Sequence, residues 1–533
     1  MIRGLSNRSI QIWIPVAISV LALLSLSRGI TGEIFIVDEA RNAECAREML
    51  ESDNYIVPTY NYELRTDKPP LHYYFMMLSY SIFGVSEWAA RFFSVIFGCL
   101  TILISYFFTK RWIGLKAAIW TSIVLLASVH FSIQFHMSVP DPYLIFFFTS
   151  SIFLFFDAVK SKRHVSAYLM YVCMGLGALT KGPVAIALPG LIMLLFLIFT
   201  KQLSLKTIWQ LRPIEGIFIV LLVALPWYWA VHEQTNGAWT QGFFFEHNIE
   251  RFSSTKEGHG GTFLAAPLFV LVGMLPFSAF FIRAIKKAIK NKENHALFIA
   301  LIAFLSIVGF FMTSSTRLPN YTAPSYPFFA IVLASYLSKV KKSKFKPEII
   351  SILVFAILLI PGAYFGFQAE SALKPLSLLA FLIIPAAIGS FIAYSFYRKH
   401  KAQFALQSIA IGFIVTSMVL SQLMYSNVAA QNPVDKTIAL TGHNTPLAYY
   451  KKFNQSFPFY LRKRVSHLKT PDELKDFLSK NTNAIVITQR KRLRDIEYST
   501  YAKKIFEQKD LFEGRTTVVL QSLIKTEKQT SKL

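Results

Sequence analysis

Two short motifs near the N-terminus place acids beside bases in a way that could bind and transfer a charged group. The first, at residues 38–41, holds Asp38, Glu39 and Arg41, and the spacing of Asp38 and Arg41 would put them on one face of a helix. In the second, Asp67 and Lys68 are followed directly by two prolines, which fix the chain. A fixed ammonium group suits an anionic headgroup, and a neighbouring carboxylate could act as a general base.

Each motif also has a purely structural interpretation. Asp38 could cap a helix beside a solvated arginine, since acids are common at that position. Lys68 could extend its ammonium group to phospholipid at the membrane surface. Spacing alone leaves both interpretations open.

Two further charged residues lie at the ends of apolar segments. Asp141 has a proline on each side where an apolar run begins, so it could cap a helix or belong to a site. Lys181 lies in a Thr-Lys-Gly-Pro sequence between two short apolar runs, at or slightly below the membrane surface. A charge at the centre of a membrane helix raises the free energy of insertion by roughly 2.5–3.5 kcal/mol. A lysine close to the membrane, such as Lys181, is therefore harder to explain without a functional role.

The last motifs lie in an aromatic-rich segment and in a tight turn. On a helix, His247 and Arg251 would be neighbours one turn apart and could face one ligand. The planar guanidinium of Arg251 suits phosphate, whereas a lone histidine such as His247 is often a satisfied structural group. Arg317 and Tyr321 follow in a short turn before another apolar run.

Membrane helices must position these residues. The chain has 533 residues, 53% hydrophobic and only 16% charged, with a mean hydropathy of +0.43, which excludes an ordinary soluble protein. Apolar runs of roughly 17–25 residues, long enough to cross the hydrocarbon layer, predict a polytopic α-helical protein with about thirteen transmembrane helices. The predicted spans are 10–27, 88–109, 115–132, 141–159, 165–180, 184–200, 214–231, 263–282, 295–313, 322–338, 348–367, 375–397 and 402–426.

Lysine and arginine collect in every second connection between spans, which predicts a cytoplasmic N-terminus. The net charge of +25 therefore comes mostly from the basic connections that set the membrane orientation, and it does not indicate a nucleic-acid partner. The first apolar run is expected to be a retained helix and not a signal peptide. With this orientation, two long connections, 29–87 and 232–262, open on the outer side, and all the candidate residues lie there or at outer helix ends.

Two domains are expected. Residues 1–426 would form the transmembrane domain, and residues 427–533 a small extracytoplasmic α/β domain with a helix beginning near Thr470 and β-rich runs at 484–488 and 516–520. In the first outer connection, residues 38–53 predict a short helix lying along the membrane interface. The three cysteines lie on separate elements and show neither disulfide nor metal spacing.

Together the charged residues of the outer face suit a phosphate-bearing lipid. Cations would hold the phosphate, a carboxylate could act as a base, and grooves between helices would take the lipid tail. The cations are Arg41, Lys68, Lys181, Arg251 and Arg317, and the carboxylates are Asp38, Asp67 and Asp141.

In combination, these motifs resemble the membrane-embedded lipid-linked sugar transferases of the GT-C class, in the superfamily of aminoarabinose transferases and protein O-mannosyltransferases. The resemblance covers residues 1 to about 430. It rests first on the acid and arginine motif at 38–41, on the acids and the arginine that follow this motif, and on the Asp-Lys-Pro-Pro-Leu sequence at 67–71. The later positions that support it are Asp141, Thr180–Gly182, Glu246, His247, Arg251, Phe252, Leu318, Pro319 and Tyr321.

The resemblance implies an inverting transfer from a polyprenyl-phosphate sugar to an acceptor at the outer surface of the bacterial inner membrane. Asp38 and Asp141 would be the catalytic residues. Asp38 would activate or orient the acceptor. Arg41, Lys68 and Arg251 would grip the donor phosphate. The residues implied to line the cavity are Glu39, Asp67, Lys181, His247, Arg317 and Tyr321. Asp67 and His247 could host a divalent cation, and no other cofactor is implied.

The main alternative is a lipid or polysaccharide transporter or flippase. A transporter more often shows polar residues at mid-membrane, broken helices in both halves and internal repeats, whereas the charges here collect at one face. A non-catalytic scaffold would account for the helices but not for the proline-fixed cations. The identity of the sugar, and of the membrane-associated acceptor (a lipid A phosphate, a protein hydroxyl or a glycan), stays open.

Overall fold

The computed structural model describes residues 7–250, 262–341, 344–442 and 445–524. These residues are mostly helical, and packed helices enclose the main apolar core. The α-helices of the membrane part are Asn7–Leu26, Glu87–Trp112, Leu115–Ala127, Val129–Phe135, Asp141–Ser161, His164–Lys181, Val184–Phe199, Leu205–Gln210, Pro213–Gln234, Ala265–Gly273, Phe281–Lys290, His295–Thr313, Tyr326–Leu337, Lys346–Ala369, Ile384–Arg398 and Ala402–Val419. Tighter 3-10 turns cover Phe277–Phe280, Pro319–Ser325 and Lys374–Ile383, and π-helical turns cover Gly242–Ile249 and Leu420–Tyr425.

The polytopic helical architecture is confirmed, since each of the thirteen predicted spans falls on helical backbone. Within the described ranges, seven helices are long and apolar enough to cross a membrane, or nine if each of two bent pairs is one span. The bent pairs are Leu115–Ala127 with Val129–Phe135, at 74°, and Ala265–Gly273 with Phe277–Lys290, at 116°. Two of the other predicted spans fall on shorter helices, Val184–Phe199 and Tyr326–Leu337.

The first outer connection forms a small folded layer on the membrane part. It contains the helices Val37–Glu51 and Leu71–Phe83 and a hairpin of Thr59–Tyr60 with Glu63–Leu64. The helix Val37–Glu51, called the outer helix below, was predicted to lie along the membrane interface. Most of its residues are instead buried, because the helix Leu71–Phe83 and Phe459 from the C-terminal part pack against its alanines.

The C-terminal part contains a five-stranded sheet. Its strands, in spatial order, are Ser466–Leu468, Leu447–Tyr450, Ile485–Gln489, Thr516–Ser522 and Ala502–Lys509, the first two pairings being parallel and the others antiparallel. The helix Pro471–Lys480 is capped as predicted: Thr470 Oγ1 accepts from the Glu473 amide at 3.2 Å. Both predicted β-rich runs are strands, and the domain boundary at 426/427 stays a prediction.

Candidate active site

A cavity of about 700 Å³ opens between the ends of the membrane helices and the connection 29–87, predicted above to be the first outer connection. Its polar lining consists of Asp67, Lys68, Lys181, His247 and Tyr321, with the hydroxyl-bearing Ser314. The other lining residues are apolar: Leu144, Phe148, Pro183, Val184, Ala187, Leu188, Leu191, Phe243, Phe244, Phe310, Phe311 and Pro324. Charged groups and a long apolar wall therefore share one enclosure, which suits an amphipathic ligand.

Asp67 is held in place by cations. Arg65 donates from Nε to Asp67 Oδ1 at 2.5 Å and from Nη2 to Oδ2 at 3.0 Å, and Lys68 Nζ lies 3.7 Å from Oδ2. Burial alone would raise the pKa of the Asp67 carboxyl, but the charges of Arg65, Lys68 and His247 hold that pKa well below its usual range. Asp67 is therefore a persistent carboxylate that orients Lys68, and it is a weak base.

Lys181 is positioned by a second acid. Its Nζ lies 2.6 Å from Asp141 Oδ1 and 5.3 Å from the centre of the Tyr321 ring, and Asn320 Nδ2 lies 3.4 Å from Asp141 Oδ2. Asp141 is the first residue of its helix and Lys181 the last of another, so each charge is favoured by the adjacent helix dipole. Gly182 ends the second helix at a φ of +82°, where a Cβ would meet the Phe243 ring.

His247 reaches the cavity from the π-helical turn Gly242–Ile249, together with Phe243 and Phe244. His247 and Asp67 both line the cavity, as expected for residues of one site. Arg251, which sequence reasoning placed on the donor phosphate, lies outside the described residues, and its role stays a prediction.

Asp38 and Arg41 lie near the outer edge of this charged network. Asp38 is exposed at the start of the outer helix, and Arg41 Nε donates to Gln455 Oε1 at 3.3 Å. Neither lines the cavity in the part of the chain that the structure describes. One helical turn after Asp38, Asn42 Oδ1 accepts from Arg65 Nη2 at 2.9 Å, which links this face of the outer helix to Asp67.

Glu39 and Arg317 were predicted to line the cavity, but neither is among the described residues that line it. Glu39 is fully buried, and its two carboxylate oxygens accept from Arg91 Nε at 2.7 Å and Nη2 at 2.9 Å. A buried carboxylate needs such a partner, so Glu39 holds the fold together instead of facing the cavity. Arg317 Nη2 donates to the Met312 carbonyl at 3.3 Å and is not among the described residues that line the cavity.

Sequence reasoning missed three residues that organise the site, Asn42, Arg65 and Asn320, and it missed Arg91, the structural partner of Glu39. Arg65 carried a usable signal, because it is a second cation two residues before Asp67. Arg91 was counted only as part of a predicted span, although a charge in a span needs a partner. The two asparagines carried no signal beyond their polarity.

Asp67 and His247 are the two residues predicted to hold a divalent cation. Both oxygens of Asp67 accept from Arg65, and the described ranges contain no cluster of three or more His, Cys, Asp or Glu side chains that could hold a metal. Asp67 and His247 alone offer two ligands. Metal dependence therefore stays a prediction.

Sequence comparisons relate this chain to a known family and to known proteins. Residues 67–229 match the family model described as dolichyl-phosphate-mannose-protein mannosyltransferase. An uncharacterized protein of Aquifex aeolicus (strain VF5) is 30% identical, over 57% of this chain and 68% of its own length. The undecaprenyl phosphate-alpha-4-amino-4-deoxy-L-arabinose arabinosyl transferase 2 of Proteus mirabilis (strain HI4320) is 31% identical over 56% of this chain, which matches about half (54%) of that protein.

Among solved structures, ArnT from Cupriavidus metallidurans bound to undecaprenyl phosphate superposes with a TM-score of 0.80. It covers 97% of this chain and 99% of its own at 21% identity, so the likeness shows the fold. The fold is of the GT-C class, and the family model and the named relatives show a multi-pass membrane glycosyltransferase. The chain belongs to the lipid-linked sugar transferases of the aminoarabinose transferase and protein O-mannosyltransferase superfamily. The family expectation is confirmed, and the transporter alternative is not favoured.

Proposed function

We propose that this enzyme transfers a sugar, with inversion, from a sugar-bearing undecaprenyl phosphate or related polyprenyl-phosphate sugar to an acceptor at the outer face of the bacterial inner membrane. The single observation that carries the proposal is the cavity, in which Lys68 and Lys181 share one enclosure with a long apolar wall. The Proteus mirabilis relative is named for an undecaprenyl-phosphate donor, which supports this class of lipid. The cytoplasmic N-terminus and extracytoplasmic C-terminal part belong to the proposal.

The donor phosphate would lie between the two lysines. Lys68 is directed by Asp67 and Lys181 by Asp141, so each ammonium group is ordered before the ligand arrives. The prenyl tail would follow the apolar wall of Leu144, Leu188 and Leu191 toward the membrane interior. Arg41 and Arg251 are the further cations proposed to reach the phosphate from the outer side.

The three candidate acids differ in their availability as a base. Asp67 and Asp141 each make an ion pair with a cation, which occupies their carboxylate oxygens. Asp38 is exposed, and no described residue makes a hydrogen bond or ion pair with its carboxylate. Asp38 is therefore the base we propose for the acceptor, and Asp141 acts through Lys181.

The transfer then takes place in one displacement at the anomeric carbon. An acceptor oxygen forms the new bond to this carbon while the bond to the phosphate oxygen breaks, and the electron pair leaves on the polyprenyl phosphate. If the acceptor is a hydroxyl, its proton goes to Asp38. Lys68 and Lys181 stabilise the charge that develops on the departing phosphate. The acceptor proposed is a membrane-associated phosphate, hydroxyl or glycan.

The test compares two exposed acids at opposite ends of the outer helix. Asp38→Asn is expected to lower transfer of radiolabelled sugar by roughly 10²- to 10⁴-fold, the usual range for a general base. Asp53→Asn, just beyond the other end of the helix, is the matched control and should retain full turnover. Undiminished transfer by the folded Asp38→Asn protein would overturn the assignment of the base.

A further inference from the structure

Residues 453–465, a short segment of the C-terminal part, pack against the first outer connection. Its helix Phe457–Leu461 packs beside the outer helix, with Phe459 buried in the apolar cluster that also holds Ala40 and Ala43. Two further contacts hold the helix and the segment after it: the Ile34 amide donates to Tyr460 Oη at 2.7 Å, and Arg462 Nη2 donates to the Val85 carbonyl at 3.0 Å. The segment is thus built into the first outer connection.

The hairpin of the first outer connection is joined to the same segment by backbone-directed hydrogen bonds. Buried Asn61 donates to the Val465 carbonyl at 3.0 Å and accepts from the Val465 amide at 2.9 Å. Tyr60 Oη donates to the Gln455 carbonyl at 2.7 Å. These bonds fix the backbone of Gln455 relative to the outer helix.

The side chain of Gln455 is oriented as well. Its Nε2 donates to the Phe453 carbonyl at 3.4 Å, which turns Oε1 toward Arg41, and Arg41 Nε donates to this oxygen at 3.3 Å. Among the described residues, neither terminal nitrogen of Arg41 has a hydrogen-bond acceptor. A guanidinium held by Nε leaves its two Nη groups as a fork, the arrangement that binds phosphate oxygens in pairs.

We propose that Gln455 is a positioning residue for the donor phosphate: it holds Arg41 Nε so that both Nη groups are available to the phosphate oxygens. The proposal rests on the donor-phosphate role of Arg41 in the proposed function. The C-terminal part would thereby orient a phosphate-binding residue of the outer helix without contacting the donor itself.

The experiment measures equilibrium binding of undecaprenyl phosphate to the full chain in lipid nanodiscs. Gln455→Ala should weaken binding roughly 3- to 10-fold, the effect of losing one ordinary hydrogen bond. Arg41→Ala should weaken it by more, roughly 10- to 100-fold, and the double variant should be no weaker than Arg41→Ala alone, because Gln455 acts through Arg41. Gln508→Ala is the matched control, since Gln508 is also half-buried and donates to a backbone carbonyl, that of Gln431 at 2.6 Å.

The outcomes separate the two proposals. If Arg41→Ala leaves the affinity unchanged, the donor-phosphate role of Arg41 in the proposed function fails. If Arg41→Ala weakens binding but Gln455→Ala matches Gln508→Ala, the positioning role of Gln455 is overturned while the proposed function stands. A Gln455→Ala effect of full size in the Arg41→Ala background would also overturn it. A merely structural role would lower the melting temperatures of both glutamine variants without moving the affinity.

Discussion

Two of the acid–arginine pairs that involve the first outer connection, Glu39 with Arg91 and Asp67 with Arg65, lie in different surroundings. Glu39 and Arg91 are both fully buried, and the remaining donors and acceptors of the pair engage Ser138, Tyr425 and backbone carbonyls of residues 30–33. Asp67 and Arg65 lie against the cavity, where Lys68 joins them and Arg65 Nη1 has no hydrogen-bond partner in the described part of the chain. The first pair is closed, and the second is open to a ligand.

The difference shows how similar residue types divide between fold and chemistry. A closed pair joins segments that are distant in sequence, and its charges are not available to a substrate. An open pair keeps a charged neighbour, here Lys68, ready to bind an anion. Completeness of hydrogen bonding, rather than the presence of an acid or an arginine, separates the structural pair from the functional one.

The largest effect is expected from breaking the closed pair. Arg91→Leu leaves Glu39 buried without a partner, which should lower the free energy of unfolding by about 3–5 kcal/mol. Thermal unfolding of the purified protein in detergent measures this loss. The double variant Glu39→Leu/Arg91→Leu removes both charges and should recover part of the stability. Equal stability of Arg91→Leu and the unmodified protein would contradict the closed-pair assignment.

A smaller effect, on binding and not on stability, is expected at the open pair. Lys68→Ala removes a charged donor to the phosphate, which should weaken undecaprenyl phosphate binding roughly 10- to 100-fold with little change in melting temperature. Lys475→Ala, at an exposed lysine of the C-terminal part, is the matched control and should bind normally. Loss of stability without loss of affinity would show that Lys68 belongs with the closed pair.

The smallest effect is expected at Glu33, an acid that neighbours another acid. Burial and the nearby carboxyl of Asp435 raise the pKa of Glu33 to about 8. The folded state thus favours protonated Glu33, so its contribution to stability is present at low pH and is lost as the pH rises from about 4.5 to about 8. Glu33→Gln should flatten the fall in melting temperature between pH 5 and pH 8. Glu497→Gln, at an exposed acid, should leave the slope unchanged, and an unaltered slope in Glu33→Gln would refute the prediction.

The sequence was sufficient for the membrane helices and for much of the cavity. Apolar length predicted the helical segments on which the thirteen spans fall, and the alternation of basic connections predicted that Lys68, Lys181, His247 and Tyr321 would gather on one face. The residues joined by the closed pair could not be inferred, because Glu39 and Arg91 are 52 positions apart and meet only through tertiary packing.

The C-terminal part shows the same limit at shorter range. The strands Leu447–Tyr450 and Ser466–Leu468 are too short for a clear alternating pattern, and they were not predicted. The contact of Gln455 with Arg41 joins residues 414 positions apart, and nothing in either local sequence indicates it. Long-range contacts of polar side chains are thus the part of the site that required the structure.

A cryo-electron microscopy structure of the protein with undecaprenyl phosphate bound tests the donor site most directly. We expect phosphate density within about 3 Å of Lys68 Nζ, a hydrogen-bond distance, with the prenyl chain along Leu144, Leu188 and Leu191. Phosphate density in another compartment, with Lys68 still paired to Asp67, would show that the open pair does not form the donor site.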